Sequence, residues 1–352
     1  MKRNVALIFG GEGKEREISE LSAKNLATLI DTEQYNLILV RITERGEWYI
    51  YDGNTSLIKG GVWQTDKTKL KNTYPVKLGD TSGLLGNGEI IRVDCAIPCL
   101  HGNFGEDGII QGALTAAHIN YVGQSVYSSA ITSDKSYTKL VAKHLGIPTA
   151  KWIICTSSSI DFAMAQAELH VGYPMFLKPT RLGSSYGAHP VCSKEEFERA
   201  YKDAYAYEKR VLVEELISTK YELECAYLES DGILLAPYGK ITTNGNFYGY
   251  EEKYKSEKSP KTDVLRDGIE ARVKKAVLEY SEALVRFLEL RHLSRIDFFV
   301  TEDGAVYFNE INTFPGMTET SLYPALTEVF GLSRGDFINL LIESVCNDGR
   351  DI

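Results

Sequence analysis

The sequence predicts an α/β fold of two or three packed domains, and three observations support this prediction. The run NVALIFGG is typical of a buried strand that ends in glycines, and the next segment, EREISELSAKNLATLID, has the spacing of an amphipathic helix. A second glycine loop, HGNFGEDG, also leads into a helical segment. The chain of 352 residues is longer than a single hydrophobic core usually supports.

The remaining elements divide the chain into three units. The first has expected strands at 36–42, 47–51 and 93–99. The second opens near Gln124, where SSAITSDKSYTKLVAKHLGIP begins a helix behind capping residues, and it continues with strands at 151–155, 174–179 and 211–214 and a helix at 194–207. The third has strands at 221–229 and 233–240, a polar stretch at 241–263 and a helix at 268–290. The predicted domains are 1–123, 124–215 and 216–352.

Charge and cysteine content exclude several classes of protein. The formal net charge is −9, whereas nucleic-acid and anionic-membrane surfaces need a basic footprint. The six cysteines form no CxxC pair and no zinc-type cluster, so they are expected to be reduced core residues. The N-terminal MKRNVALIFGGEG has too few apolar residues for a signal peptide or a membrane span. We therefore expect a cytoplasmic protein that binds neither nucleic acid nor membrane.

The first glycine loop does not fit a dinucleotide-binding site. The fingerprint G-x-G-x-x-G requires a third glycine where this chain, after Gly11 and Gly13, has Arg16. The sequence therefore disfavours a nicotinamide cofactor.

The segment SRIDFFVTEDGAVYFNEIN predicts a β-hairpin with carboxylates on facing strands. With Asp303 and Gly304 as a two-residue turn, Asp297 lies opposite Glu310. A turn centred on Glu302 and Asp303 would shift this register.

Carboxylates that face each other repel unless a cation neutralises them. By the same count Arg295 lies opposite Asn312, so two carboxylates and an amide oxygen meet on one face. Such hard oxygen ligands favour Mg²⁺ over Zn²⁺. The alternative is a solvated hairpin face on which Arg295 pairs with Glu310.

Two lysines stand at positions that favour an anionic ligand. Lys178 lies inside the apolar strand segment YPMFLKP and is followed by the loop GSSYG, whose backbone N–H groups and hydroxyls can hold phosphate oxygens. Lys135 stands in the first turn of a helix, where the helix dipole disfavours a cation, although a surface lysine tolerates this position. Together with the hairpin these features indicate a nucleotide triphosphate. The chain has no Walker A motif, so the nucleotide fold is of another kind.

Seven ordered motifs resemble the D-alanine–D-alanine ligase family of ATP-grasp enzymes over nearly the whole chain. They are GGEGKEREIS, HGNFGEDG, SDK, FLKPTRLGSSYG, EEKY, RID and NEINTFPGMTETSLYP. The resemblance implies a three-domain ATP-grasp architecture, with a doubly wound N-terminal domain and the nucleotide held between central and C-terminal α+β domains. Within the GSSYG loop, Tyr186 departs from the family pattern, which has a small aliphatic residue there.

The resemblance also implies residue roles. Residues expected to hold ATP are Lys135, Lys178, Ser184, Ser185, Glu214, Glu222 and Lys253. Asp297, Glu310 and Asn312 are expected to bind two Mg²⁺ ions, with Mn²⁺ as a substitute. Glu15, with His101 nearby, is expected to receive the ammonium of the first D-alanine, and Ser184 and Tyr254 to close the 241–263 segment over it as a lid. Arg295 and the Gly316 N–H resemble an oxyanion site, and Ser321 and Leu322 are expected to contact the second D-alanine.

The reaction implied by the resemblance is ATP-dependent formation of D-alanyl-D-alanine through an acyl phosphate. One rival is a sister ligase that joins D-alanine to D-lactate or D-serine, although Tyr254 after Lys253 and Leu322 after Ser321 favour D-alanine. Another rival is an ATP-binding regulatory protein that has lost catalysis, against which the intact set of Asp297, Glu310, Asn312 and Arg295 argues. A homodimer is expected by analogy with the family.

Overall fold

The N-terminal part of the chain folds around a mixed five-stranded sheet. The computed structural model describes residues 2–58, 66–242, 261–265 and 268–347. The strands of this part are β1 (Arg3–Gly10), β2 (Tyr35–Ile42), β3 (Trp48–Tyr51), β4 (Leu70–Asn72), β5 (Tyr74–Leu78), β6 (Thr81–Gly86), β7 (Glu89–Arg92) and β8 (Cys95–Cys99). The sheet order is β4-β3-β2-β1-β8, in which β1 pairs in parallel with β2 and β8. The helices here are α1 (Arg16–Leu29) and α2 (Ile109–Ala116).

The two glycine loops meet at one edge of this sheet. The first leads from β1 into α1, and the second leads from β8 into α2. Because β1 and β8 are parallel neighbours, both loops leave from the same carboxyl edge, where α/β sheets place their ligands. The strand–loop–helix prediction is confirmed for both.

A small antiparallel sheet, β5-β6-β7, was not predicted from the sequence. Its strands are short, contain Pro75 and several glycines, and are largely exposed, so they show little of the apolar alternation that identifies a strand.

The middle of the chain forms a second sheet, in the order β11-β10-β12-β9, with antiparallel pairing throughout. Its elements are α3 (Val126–Ser133), α4 (Lys135–His144), β9 (Trp152–Cys155), α5 (Ile160–His170), β10 (Met175–Pro179), β11 (His189–Val191), α6 (Lys194–Tyr207) and β12 (Val211–Glu215). The segment read as one helix is thus two. Asp134 separates them, and its carboxylate caps α4 by accepting a hydrogen bond from the Ser136 N–H at 2.9 Å.

The C-terminal part forms a third, antiparallel sheet in the order β15-β14-β13-β16-β17. Its elements are β13 (Thr219–Glu229), β14 (Ile233–Thr242), β15 (Lys261–Val264), α7 (Ala271–Phe287), β16 (Leu293–Thr301), β17 (Val306–Asn312), α8 (Leu322–Thr327) and α9 (Arg334–Asn347). The helix expected at 268–290 is α7, shorter at both ends. Most of the predicted lid segment, 243–260, lies outside the described residues.

The last helix returns to the first sheet. Phe337 and Leu341 of α9 belong to the same buried cluster as Leu7 of β1 and Leu26 of α1. The domain limits at 123 and 215 stay predictions, and the packing of α9 joins the two ends of the chain in one core.

The cysteines follow the prediction only in part. Four of the free thiols are buried, whereas Cys192 is exposed and Cys346 half-buried; the buried ones are Cys95, Cys99, Cys155 and Cys225. In the part of the chain that the structure describes, every helix is too short or too polar to cross a membrane.

Candidate active site

The hairpin of β16 and β17 carries the acidic residues of the site. Asp297 lies opposite Glu310, so the predicted pairing at this position is confirmed. The predicted two-residue turn is wrong, because the Thr301 N–H donates to the Ala305 carbonyl and leaves residues 302–304 as a three-residue loop.

A β-bulge corrects the offset that this longer loop introduces. The register shifts next to Asp297, so that Asn309 is an extra residue on β17 between two paired neighbours. Two one-residue displacements therefore cancel, which is why the sequence count reached the right partner for Asp297. A bulge re-aims side chains, and the Asn309 Oδ1 accepts a hydrogen bond from Lys178 Nζ at 3.2 Å.

Arg295 binds Asp297 through two parallel hydrogen bonds. Its Nε donates to Oδ1 at 2.8 Å and its Nη2 to Oδ2 at 2.7 Å. Nε also lies 3.2 Å from Glu224 Oε1, and the Asn312 side-chain amide donates to Asp297 Oδ2 at 2.9 Å. Burial lowers the pKa of Arg295, but the two carboxylates outweigh it and raise that pKa well above its ordinary value. The site therefore contains a fixed positive charge.

Glu310 pairs with Lys135 across the cavity. Lys135 Nζ lies 3.2 Å from Glu310 Oε2 and donates to the Leu182 carbonyl at 2.8 Å. Lys135 is the first residue of α4, as the sequence predicted, and it is almost fully buried. The Lys135 ammonium thus links the hairpin of β16 and β17 to Leu182, the residue directly before the glycine–serine loop.

A buried carboxylate, Glu214, holds two lysines on the central sheet. Its Oε1 lies 2.5 Å from Lys139 Nζ and its Oε2 lies 2.6 Å from Lys178 Nζ. Burial alone would raise the pKa of Glu214, but the two ammonium groups lower it to about 2. Lys139 is 1% exposed. This triad fixes the direction of Lys178, which lies inside a strand as predicted, whereas its role in binding phosphate stays a prediction.

The first glycine loop and the glycine–serine loop are joined by a hydrogen bond from the Ser184 hydroxyl to Glu15 Oε1. Ser184 and Ser185 have positive φ values of 49° and 58°, in the left-handed region that residues other than glycine rarely adopt. Burial raises the pKa of Glu15, and the nearby Glu106 carboxylate raises it further, whereas the Ser184 hydrogen bond lowers it. Glu15 is thus a half-buried carboxylate without a lysine or arginine ion-pair partner among the described residues.

Glu106 bridges the second glycine loop and the segment after β17. Its Oε2 accepts the Gly102 N–H at 2.7 Å, and its Oε1 accepts the Thr313 hydroxyl at 3.2 Å and the Phe314 N–H at 3.1 Å. Burial raises the pKa of Glu106, with these hydrogen bonds acting in the opposite direction.

His101 makes a second bridge to the same segment. Its Nδ1 lies 3.1 Å from the Phe314 carbonyl, and its Nε2 lies 3.2 Å from the Ser22 hydroxyl, which accepts the Met317 N–H at 3.1 Å. Burial lowers the pKa of His101, which favours the neutral ring. Gly316, between Phe314 and Met317, is therefore held from both sides.

One open cavity of ≈ 160 Å³ brings together eight of the predicted site residues. Its lining includes Glu15, His101, Lys135, Ser184, Arg295, Glu310, Asn312 and Gly316. Asp297 lies directly behind the lining, held by Arg295 and Asn312. Elements separated by up to 300 residues thus meet around one space.

The remaining predicted residues lie around this cavity or outside the described chain. Ser321 donates to or accepts from the Thr318 hydroxyl at 2.7 Å, beside Gly316, and Leu322 begins α8 and packs toward Gly239. Glu222 on β13 contributes negative charge near Lys178. Lys253 and Tyr254 belong to the segment that the structure does not describe.

Sequence reasoning missed three residues of the site: the buried Lys139 and Glu224 and the half-buried Glu106. Each carried a weak signal. Lys139 lies one helical turn after Lys135, Glu106 stands inside the HGNFGEDG motif, and Glu224 shares a strand face with Glu222. None of these spacings shows which distant group a side chain will contact.

Two antiparallel sheets flank one cavity, one with the lysine and the glycine–serine loop and the other with the carboxylate hairpin. Together with the mixed N-terminal sheet, they define an ATP-grasp fold. The chain belongs to the D-alanine–D-alanine ligase family. The model of the D-ala D-ala ligase N-terminus matches residues 4–124, and that of the C-terminus matches residues 141–343.

Similar proteins extend over nearly the whole chain. The D-alanine--D-alanine ligase of Ruminiclostridium cellulolyticum is 35% identical, covering 97% of this chain and 95% of that protein. The Oceanobacillus iheyensis protein of the same name is 36% identical with the same coverage. Among solved structures, the VanG D-Ala:D-Ser ligase from Enterococcus faecalis is 34% identical with a TM-score of 0.87 and covers 97% of this chain and 99% of that one. D-alanyl-alanine synthetase A from Vibrio cholerae is 30% identical with a TM-score of 0.83, with 99% of each chain covered.

Proposed function

We propose that this protein joins two D-alanines into D-alanyl-D-alanine at the expense of ATP, for peptidoglycan precursor synthesis. The observation that carries the proposal is a single cavity whose lining includes a partly desolvated carboxylate, Glu15, and two cations, Lys135 and Arg295. An amino acid presents an ammonium and a carboxylate, and such a cavity can orient both.

ATP binds to the cations and the glycine–serine loop. Lys135 and Lys178 hold phosphate oxygens together with Ser184, Ser185 and Lys253, while Glu214 and Glu222 lie at the adenine and ribose. In this arrangement Glu214 acts chiefly by fixing Lys178, since both of its oxygens are engaged by lysines. Lys139 binds the other carboxylate oxygen of Glu214.

Asp297, Glu310 and Asn312 are the residues that would hold divalent metal. Their donors are hard oxygens, which fit Mg²⁺, or Mn²⁺ in its place. Within the described ranges no three His, Cys, Asp or Glu side chains gather into a metal site. These three residues would hold two such ions together with ATP. The metal supplies charge stabilisation during phosphoryl transfer.

The chain then acts on two amino acids in turn. Glu15, oriented by Ser184, receives the ammonium of the first D-alanine, with His101 beside it. The carboxylate of this D-alanine attacks the γ-phosphorus of ATP, which releases ADP and leaves an acyl phosphate. The amine of the second D-alanine, near Ser321 and Leu322, attacks the acyl carbon and expels phosphate. Arg295 and the Gly316 N–H stabilise the oxyanion, while Tyr254 would hold the lid closed against water.

A ligase that uses D-serine is the second candidate, because the VanG protein named above is a D-Ala:D-Ser ligase with a comparable fold. D-Lactate is a further alternative, and its ligation to D-alanine would give a depsipeptide instead of a dipeptide. The pairs Lys253–Tyr254 and Ser321–Leu322 favour D-alanine in the second position.

Product analysis separates these candidates. Purified protein with ATP, Mg²⁺ and D-alanine is expected to release phosphate and form D-alanyl-D-alanine, with far less mixed product when D-serine or D-lactate is added at equal concentration. L-Alanine serves as the control and is expected to support no turnover. Equal turnover with L-alanine would overturn the proposal, and a predominant D-Ala-D-Ser product would replace it by the second candidate.

We further propose a homodimer in the cytoplasm, where ATP is available. The support is analogy with the family. Sedimentation of the purified protein at micromolar concentration tests the dimer.

A further inference from the structure

Three residues from separate segments meet beside the substrate loops. Lys14, directly before Glu15, has its Nζ 3.9 Å from the ring centroid of Tyr207 and 5.5 Å from that of Tyr186. The two rings are 6.2 Å apart and tilted by 48°. Tyr186 belongs to the glycine–serine loop and Tyr207 is the last residue of α6. The cation of the first glycine loop therefore rests on aromatic faces of the central sheet's segments.

The surroundings show that this contact is built into the loop. Gly187 has φ +64°, and a Cβ there would lie 2.9 Å from the Tyr207 ring, so the loop approaches α6 closely. Among the described residues, no carboxylate lies within ion-pair distance of Lys14, although Glu12 and Glu15 are close to it in the sequence. Its charge is instead directed at the rings.

We propose that Lys14, Tyr186 and Tyr207 form a cation–π latch that holds the glycine–serine loop over Glu15. They are positioning residues for the first D-alanine, which rests on the proposed function. Lys14 is one residue from Glu15, and Tyr186 is two residues from Ser184. The latch thus lies next to the Ser184–Glu15 hydrogen bond and keeps the same two loops together. Without it, fewer molecules have the binding-competent arrangement, which weakens apparent affinity in proportion.

Matched substitutions separate the cation–π contact from simple packing. Lys14→Met and Tyr207→Leu remove the cation or the ring, whereas Lys14→Arg and Tyr207→Phe keep them. We expect the first pair to raise the KM of the first D-alanine by about 2- to 5-fold, the size of one exposed cation–π contact, with kcat unchanged. The second pair is expected to match the unaltered enzyme. The Lys14→Met/Tyr207→Leu double variant is expected to equal the single variants, because both remove one contact.

Amide hydrogen exchange gives a readout that does not depend on catalysis. Exchange of residues 182–187 is expected to quicken in Lys14→Met and Tyr207→Leu but not in the conservative variants. Additive KM effects in the double variant, or equal exchange in all variants, would overturn the latch. An unaltered enzyme that fails to make D-alanyl-D-alanine would overturn the proposed function instead, and the exchange measurement would still test the loop contact.

Discussion

The carboxylates on the two sides of the site have opposite electrostatic surroundings. On the N-terminal side, Glu15 and Glu106 are half-buried, with hydrogen bonds but without a lysine or arginine ion pair among the described residues, and loss of solvation raises the pKa of both. On the central side, Glu214 is more deeply buried, yet two lysines lower its pKa to about 2.

This difference follows what each side has to receive. A desolvated carboxylate such as Glu15 gains most from a ligand that brings its own cation, as the ammonium of an amino acid does. The lysines gathered by Glu214 present positive charge to an anion such as a phosphate. A carboxylate thus lacks a cationic partner only on the side where the ligand would supply the cation.

The largest expected effect is on the compensated side. Glu214→Gln leaves two buried ammonium groups without their anion, so we expect a loss of about 3–5 kcal/mol in the free energy of unfolding. Chemical denaturation at neutral pH measures it. Glu198→Gln is the control, since its exposed pair with Lys202 contributes less than about 1 kcal/mol.

The pH dependence of this effect has a definite sign. The pKa of Glu214 is lower in the folded protein than in the unfolded chain. Its stabilisation is therefore present above the ordinary carboxyl pKa and is lost as pH falls from there towards about 2. The stability gap between Glu214→Gln and the unaltered protein should narrow over that range. A gap that is constant with pH would contradict the assignment.

The metal-type hairpin gives the next largest effect. Glu310→Gln removes one negative ligand opposite Asp297, and we expect kcat to fall at least about 10²-fold at saturating Mg²⁺. Glu302→Gln, in the exposed loop of the same hairpin, is the matched control and should retain full activity. A folded Glu310→Gln variant with activity within a few-fold of the unaltered enzyme would restore the solvated-hairpin interpretation.

The smallest effect concerns the uncompensated side. Glu15 must be ionised to bind an ammonium, so kcat/KM for D-alanine should fall with decreasing pH through a pKa above the ordinary carboxyl value. Ser184→Ala removes a hydrogen bond that lowers this pKa and should move the acid limb to higher pH. Glu106→Gln removes a charge that raises it and should move the limb to lower pH. If neither substitution moves the limb, another group controls it.

The local features of this protein could be predicted from the sequence alone. The two strand–glycine loop–helix units, Lys135 at the start of α4 and the facing of Asp297 and Glu310 all follow from periodicity, capping and hairpin counting, which depend on residues close in the chain. Even there, the hairpin succeeded through two cancelling displacements, because loop length and the bulge at Asn309 are settled by packing.

Only the tertiary structure decided which buried charges meet. Glu214 is 75 residues from Lys139 and 36 from Lys178, and Glu106 reaches a segment more than 200 residues away. No local pattern specifies such contacts, since the same strand or helix forms whatever lies across the cavity. The pKa of each carboxyl is therefore fixed by the assembly of the sheets, where desolvation and the nearest cation oppose each other.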